Sequence, residues 1–220
     1  MIKKIILEII LIVITVIAVV LAYFLIIDIE SNVPEELNAT VNVSTNRFMN
    51  RKVFTITPKE QTGNSKTILY FHGGAYVAEA TEKHWEFIEK IVNDTKNTVI
   101  MPDYPLTPKY SYKDVFNMIE PLYKETIQKV GAENLIVMGD SAGGGMALGL
   151  LEKLSKSKVE MPIKTILISP WLDTTMSNPK IDEYQKNDND LNKEKLYLAG
   201  ISYSRDIKKG EEYLVNPINR

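Results

Sequence analysis

The sequence predicts an α/β fold, a mostly parallel sheet with helices on both faces. Three observations carry this. Short apolar, β-branched runs recur along the chain, stretches with helical spacing of apolar residues separate them, and small-residue turns close the strands. Strands alternating with amphipathic helices imply βαβ units, whose crossovers cover both faces of a sheet.

The elements follow in order from Arg51. Val53-Phe54-Thr55-Ile56-Thr57 is β-branched and stops at Pro58. Thr67-Ile68-Leu69-Tyr70-Phe71 is a continuous apolar run, the pattern of a strand buried on both faces. Helical spacing then runs from about Glu79 to Asn93, with Trp85, Ile88, Ile91 and Val92 on one face. Thr98-Val99-Ile100-Met101 is the next strand. Tyr112 to Val130 is helical in pattern, and Pro121 predicts a kink or a late start. Leu135-Ile136-Val137-Met138 is another buried strand, followed by a helix face of Ala147, Leu150, Leu151 and Leu154. A strand from Ile163 to Ile168 stops before Pro170, and a last helix covers about Leu191 to Tyr203.

Ahead of this domain, residues 9–27 read IILIVITVIAVVLAYFLII, 19 residues without a charge. About 20 apolar residues cross the roughly 30 Å hydrocarbon core, so the segment predicts a single transmembrane helix. A cleaved signal peptide is the rival. Its apolar region is usually about 7–15 residues and ends at small residues, whereas this run ends in Phe24-Leu25-Ile26-Ile27. Lys3 and Lys4 precede the span, and Asp28, Glu30, Glu35 and Glu36 follow it. The positive-inside rule then leaves residues 1–8 in the cytoplasm and exports the rest from the cell membrane. Residues 28–50 are polar and predict a juxtamembrane linker, and 51–220 hold the α/β domain.

A chain of 220 residues with 45% apolar and 25% charged residues has the balance of a folded globular protein. Its 26 basic and 28 acidic residues are scattered along the chain, which excludes the concentrated basic face that nucleic acid requires. Cysteine is absent, so disulfides, thiolate metal sites and cysteine nucleophiles are excluded.

Two turns carry chemistry. Gly139-Asp140-Ser141-Ala142-Gly143 matches G-x-S-x-G between a buried strand and an amphipathic helix. Such a turn lifts a serine hydroxyl above the carboxyl edge of the sheet, at a helix N-terminus that favours negative charge. Ser141 is therefore the expected nucleophile. His72-Gly73-Gly74-Ala75 follows another buried strand. Its glycines let backbone N–H groups converge on a developing oxyanion, with Gly73, Gly74 and Ala142 as the expected donors. His72 is expected to shape this loop, and His84 to be structural or substrate-facing.

Together these residues resemble the hormone-sensitive-lipase-like branch of the α/β-hydrolases, marked by HGG and GDSAGG. Tyr70-Phe71-His72-Gly73-Gly74-Ala75-Tyr76 resembles the family's oxyanion segment, with Ala75 in place of a frequent third glycine. Asp103-Tyr104-Pro105-Leu106-Thr107-Pro108 is similar to its DYRLAPE segment, with Pro105 in place of arginine. Ser169-Pro170-Trp171-Leu172-Asp173 resembles SPW-x-D, and Val215-Asn216-Pro217 a stretch leading to later strands. The resemblance covers roughly 50–217 and implies an α/β-hydrolase fold acting on carboxylic esters, with a small ester or acyl substrate and no metal or cofactor.

The pattern breaks downstream. The family's triad runs Ser, acid, His, yet His72 and His84 are the only histidines and both precede Ser141. Asp173 matches an aspartate that is not the triad acid, and Asp182, Asp188, Asp190 and Asp206 lie in a polar, cap-like stretch. A triad acid and base are therefore missing, and weak or absent activity is expected of the chain alone. Three readings remain: a C-terminally truncated esterase, half of a split enzyme completed by a second chain, or a membrane-anchored binding module without catalysis.

Overall fold

The computed structural model describes residues 2–26, 28–60, 63 and 65–218, with the side chains of 2–5, 7, 21 and 23–26 excepted. The chain forms α1 (Ile2–Ile26), α2 (Leu37–Thr40), β1 (Val41–Phe48), β2 (Arg51–Pro58), β3 (Thr67–Phe71) and α3 (Glu82–Thr95). It continues through β4 (Thr98–Pro102), α4 (Tyr112–Val130), β5 (Leu135–Asp140), α5 (Ser141–Lys156) and β6 (Lys164–Ile168). Short α6 (Ile181–Tyr184) and α7 (Lys193–Tyr203) complete it. The expected α/β class is observed.

The strands lie in the order β1-β2-β4-β3-β5-β6. β4, β3, β5 and β6 are parallel, whereas β1 and β2 add an antiparallel edge. Period-two alternation explains why β3 reads as continuously apolar. Ile68 and Tyr70 face a core beneath α3 with Trp85 and Ile88, while Leu69 and Phe71 face a second core beneath α4 and α5. The helices after β3 and β5 therefore lie on opposite faces, although the two strands are neighbours. A sheet opens a crevice at the carboxyl ends of such strands, and the residue pairing Phe71 with Gly139 starts both chemical turns side by side there.

Two expectations differ from the observed structure, and a third falls partly outside the described residues. Residues 28–50 are not a free linker, because β1 pairs along its whole length with β2 through the turn at Met49 and Asn50, with φ of 48° and 65°. Two positive-φ residues give the turn twist that suits a two-residue hairpin. The segment before it is also pinned: Ser31 donates through N and Oγ to Asp103 Oδ1 at 3.1 and 2.7 Å, and Asp28 pairs with Arg51. Second, Pro121 marks no late start: α4 begins at Tyr112 and runs through that exposed residue to Val130.

The third concerns the membrane. Among the described residues no helix is long and apolar enough to cross one. The longest stretch of α1 with every side chain described, 8–20, rises only about 20 Å. The span expected over 9–27, with its flanking Lys3 and Lys4, lies in part outside the described residues.

Candidate active site

Ser141 is the first residue of α5 and takes φ +48°, a left-handed conformation that costs a non-glycine residue of order 1 kcal/mol or more. The turn is tight enough to dictate its neighbours. A Cβ on Gly143 would lie 2.0 Å from the Phe71 carbonyl oxygen, and one on Gly139 would lie 2.5 Å from the Gly143 carbonyl oxygen. The G-x-S-x-G spacing thus records two backbone approaches that no side chain survives. From the other side, Trp171 N–H donates to the Ser141 carbonyl at 2.7 Å, so the SPW-x-D loop braces the elbow.

The HGG loop arrives from β3. Gly74 takes φ +119°, Ala75 +52° and Tyr76 +62°, and the Gly74 carbonyl accepts from Val77 and Ala78 N–H at 3.0 and 2.9 Å. A Cβ on Gly73 would lie 3.2 Å from Ser141 Cβ, which places loop and serine in contact.

One expected donor is corrected. Gly73 N–H donates to Asp140 Oδ1 at 2.9 Å and is committed within the protein. Gly74 and Ala75 N–H have no protein acceptor among the described residues, and Ala142 N–H lies in the first turn of α5, where no intrahelical acceptor exists. The N–H groups left without a protein acceptor at these turns are therefore those of Gly74, Ala75 and Ala142.

His72 is buried and stacks on Tyr104 with ring centroids 4.4 Å apart. A carbonyl only accepts, so the 2.6 Å contact between His72 Nδ1 and Gly73 O places the proton on Nδ1. Burial lowers its pKa to about 4 and outweighs that bond, which keeps the ring neutral. Its Nε2 is buried with no partner among the described residues. His72 thus sits at the base of the HGG loop, bonded to its Gly73 carbonyl.

Asp140 joins the two turns. Besides Gly73 N–H, its carboxylate accepts from Tyr70 Oη at 2.6 Å and faces His84 Nε2 at 3.4 Å. Burial alone would raise its pKa, but the His84 and Tyr70 bonds prevail and hold it below the usual carboxylate value. Tyr70 was not legible as a site residue, because a tyrosine within an apolar strand carries no separate signal.

The remaining acids lie elsewhere. Asp103 is buried against Arg51 at 3.3 Å, and burial raises its pKa despite the Ser31 bonds. Asp173 closes its own turn by accepting from Thr175 and Ser177 N–H, both at 2.9 Å. Asp182 pairs with Lys193 at 2.5 Å, and Asp188 accepts from Asp190 and Leu191 N–H. Among the described residues no side chain hydrogen-bonds Ser141 Oγ. A cavity of ≈620 Å³ lies beside α5 at Leu148, Met161 and Tyr213 rather than at the serine.

A strand-turn-helix serine beside a glycine loop at the crevice of a parallel sheet defines the α/β-hydrolase class. The sequence profile of the alpha/beta hydrolase fold matches residues 68–220, and the chain belongs to that family. It is 32% identical over 156 residues to an esterase of Acinetobacter venetianus, covering 70% of this chain and 51% of that one. It is 28% identical over 167 residues to steryl acetyl hydrolase 1 of Saccharomyces cerevisiae, covering 71% and 38%. The crystal structure of a candidate esterase from Staphylococcus aureus superposes with TM-score 0.79 at 31% identity, covering 87% of this chain and 64% of that one. An esterase of the bacterial hormone-sensitive lipase family shares the fold at TM-score 0.73 and 19% identity, over 83% and 63%. The chain spans about half the length of the Acinetobacter relative and less of the yeast one.

Proposed function

We propose that this chain carries the nucleophile and oxyanion site of a serine ester hydrolase. The carrying observation is Ser141 at φ +48°, in contact with the HGG loop. Ser141 Oγ attacks an ester carbonyl, and the oxyanion is held by the N–H groups of Gly74, Ala75 and Ala142. The alcohol leaves with a proton, and water then releases the acid and restores the serine. Relatives described as esterase and steryl acetyl hydrolase support a carboxylic ester as substrate. A serine hydroxyl needs an adjacent base, and neither histidine bonds it, so the chain alone is expected to react slowly. The test is labelling by a fluorophosphonate and turnover of p-nitrophenyl acetate, each with Ser141→Ala as control. Slow reaction abolished by that substitution supports the reading; no reaction at Ser141 sinks it.

The proposal extends to location, with α1 as an anchor that leaves the hydrolase domain outside the cell membrane. Supporting it, the large apolar side chains from Ile9 to Val20 are between 46% and 64% exposed and need a cover. Resistance to alkaline carbonate extraction is expected, and release into the soluble fraction would overturn it.

A further inference from the structure

We propose that His84 is a positioning residue for the oxyanion loop, acting through Asp140; this rests on the serine-hydrolase reading above. The geometry begins with a proton assignment. Thr81 N–H donates to His84 Nδ1 at 2.9 Å as half of the capping box that starts α3. Nδ1 is therefore the acceptor, and in the neutral ring the proton sits on Nε2. That Nε2–H faces Asp140 Oδ2 at 3.4 Å.

Asp140 is thus held by donors from three places: Tyr70 on β3, Gly73 in the HGG loop and His84 on α3. It also immediately precedes Ser141. The carboxylate cross-links the nucleophile turn to the loop whose next two N–H groups are free. Oδ1 takes two of the donors, so without His84 nothing else fixes Oδ2 among the described residues. The carboxylate can then rotate and let the Gly73 bond lengthen. Oxyanion donors work by being fixed before charge develops, so a loosened loop lowers reactivity more than binding.

His84 has two jobs, capping α3 and holding Asp140, and substitution separates them. A capping box accepts Glu or Gln at this position. His84→Gln keeps both, since Oε1 accepts from Thr81 while the amide N–H₂ faces Asp140. His84→Glu keeps the cap but places a carboxylate against a carboxylate. His84→Ala loses both.

Hydrogen–deuterium exchange of the full chain over peptide 71–78, with the melting temperature followed in parallel, provides the test. Exchange is expected to speed at least threefold in His84→Ala and His84→Glu and to return toward wild type in His84→Gln. The fluorophosphonate labelling rate constant is expected to fall about tenfold in the first two, with the probe's half-saturating concentration unchanged. Wild-type exchange and labelling in His84→Glu would reduce His84 to a helix cap and overturn the proposal. If the wild type does not label at all, the ester-hydrolase reading fails, and the exchange comparison alone still decides the role of His84.

Discussion

The ring of Tyr203 lies flat on that of Tyr76, with centroids 3.6 Å apart and planes within 3° of parallel. Tyr203 ends α7 and Tyr76 follows the HGG loop, so this contact seats the polar C-terminal region on the active-site side. The Tyr203 hydroxyl is buried and has no partner among the described residues. An unpaired buried hydroxyl costs about 1–3 kcal/mol relative to a satisfied one. Tyr203→Phe is therefore expected to be neutral or up to about 1 kcal/mol stabilising, while Tyr203→Ala costs about 3–5 kcal/mol through the cavity it leaves. Urea midpoints at unchanged slope measure both. A clear loss in the Phe variant would show that the hydroxyl has a partner.

Packing at the elbow gives a sharper prediction. Alanine in place of a helical glycine ordinarily gains about 1 kcal/mol of helix propensity. Gly143 reverses the sign, because its added methyl would meet the Phe71 and His72 carbonyl oxygens at 2.0 and 2.6 Å. Both are backbone atoms that cannot swing aside. Gly143→Ala is expected to lose at least about 1–3 kcal/mol, with loss of labelling at Ser141. Gly63→Ala, where nothing lies within 4 Å, is the control expected near wild type. A Gly143→Ala protein of wild-type stability would contradict the close approach of α5 to β3.

These features mark where the sequence was legible. Gly139, Ser141 and Gly143 stand within one turn, so their constraint is local and the motif displays it. The strands Thr67–Phe71 and Leu135–Asp140 are buried on both faces, which writes their length into an apolar run. β1 was missed because its outer positions are polar or exposed, and its turn uses Met49 and Asn50 rather than a glycine pair. The Gly73 donor was misassigned for a different reason. Whether an N–H is free depends on the Asp140 side chain, 67 residues away. Pairings such as Tyr70–Asp140 or Ser31–Asp103 exist only once the sheet has formed.

Stability against pH carries the mark of His72. Burial holds its folded pKa at about 4, against about 6.5 in an unfolded chain. A depressed basic group favours the folded state fully above the unfolded value, and that contribution is lost as pH falls through the folded one. Stability should therefore fall between pH of about 6.5 and about 4, by about 3 kcal/mol in total. The lowered pKa values of Asp28, Asp140 and Asp173 act further down, below the ordinary carboxylate value. Urea midpoints across this window check the slope, and the ring NMR shifts of His72 identify the group. A flat profile, or a His72 ring that titrates near its ordinary value, would contradict the neutral buried imidazole.

The nucleophile itself should trade stability for placement. Ser141 holds φ +48° within a turn fixed by the Trp171 N–H bond to its carbonyl. Relieving a left-handed conformation is worth about 1–3 kcal/mol, against a conformational-entropy cost of about 0.5–1 kcal/mol for introducing glycine. Ser141→Gly is thus expected to stabilise the protein by up to about 1–2 kcal/mol while abolishing labelling. Ser141→Ala keeps the strain and should stay within about 0.5 kcal/mol of wild type. Neither change touches the backbone bond to Trp171, so the difference between the two variants reports the strain less the entropy cost of glycine. Equal stability of the glycine and alanine variants would limit the strain stored at the elbow to the entropy cost of glycine itself, about 0.5–1 kcal/mol, less than the φ of Ser141 implies.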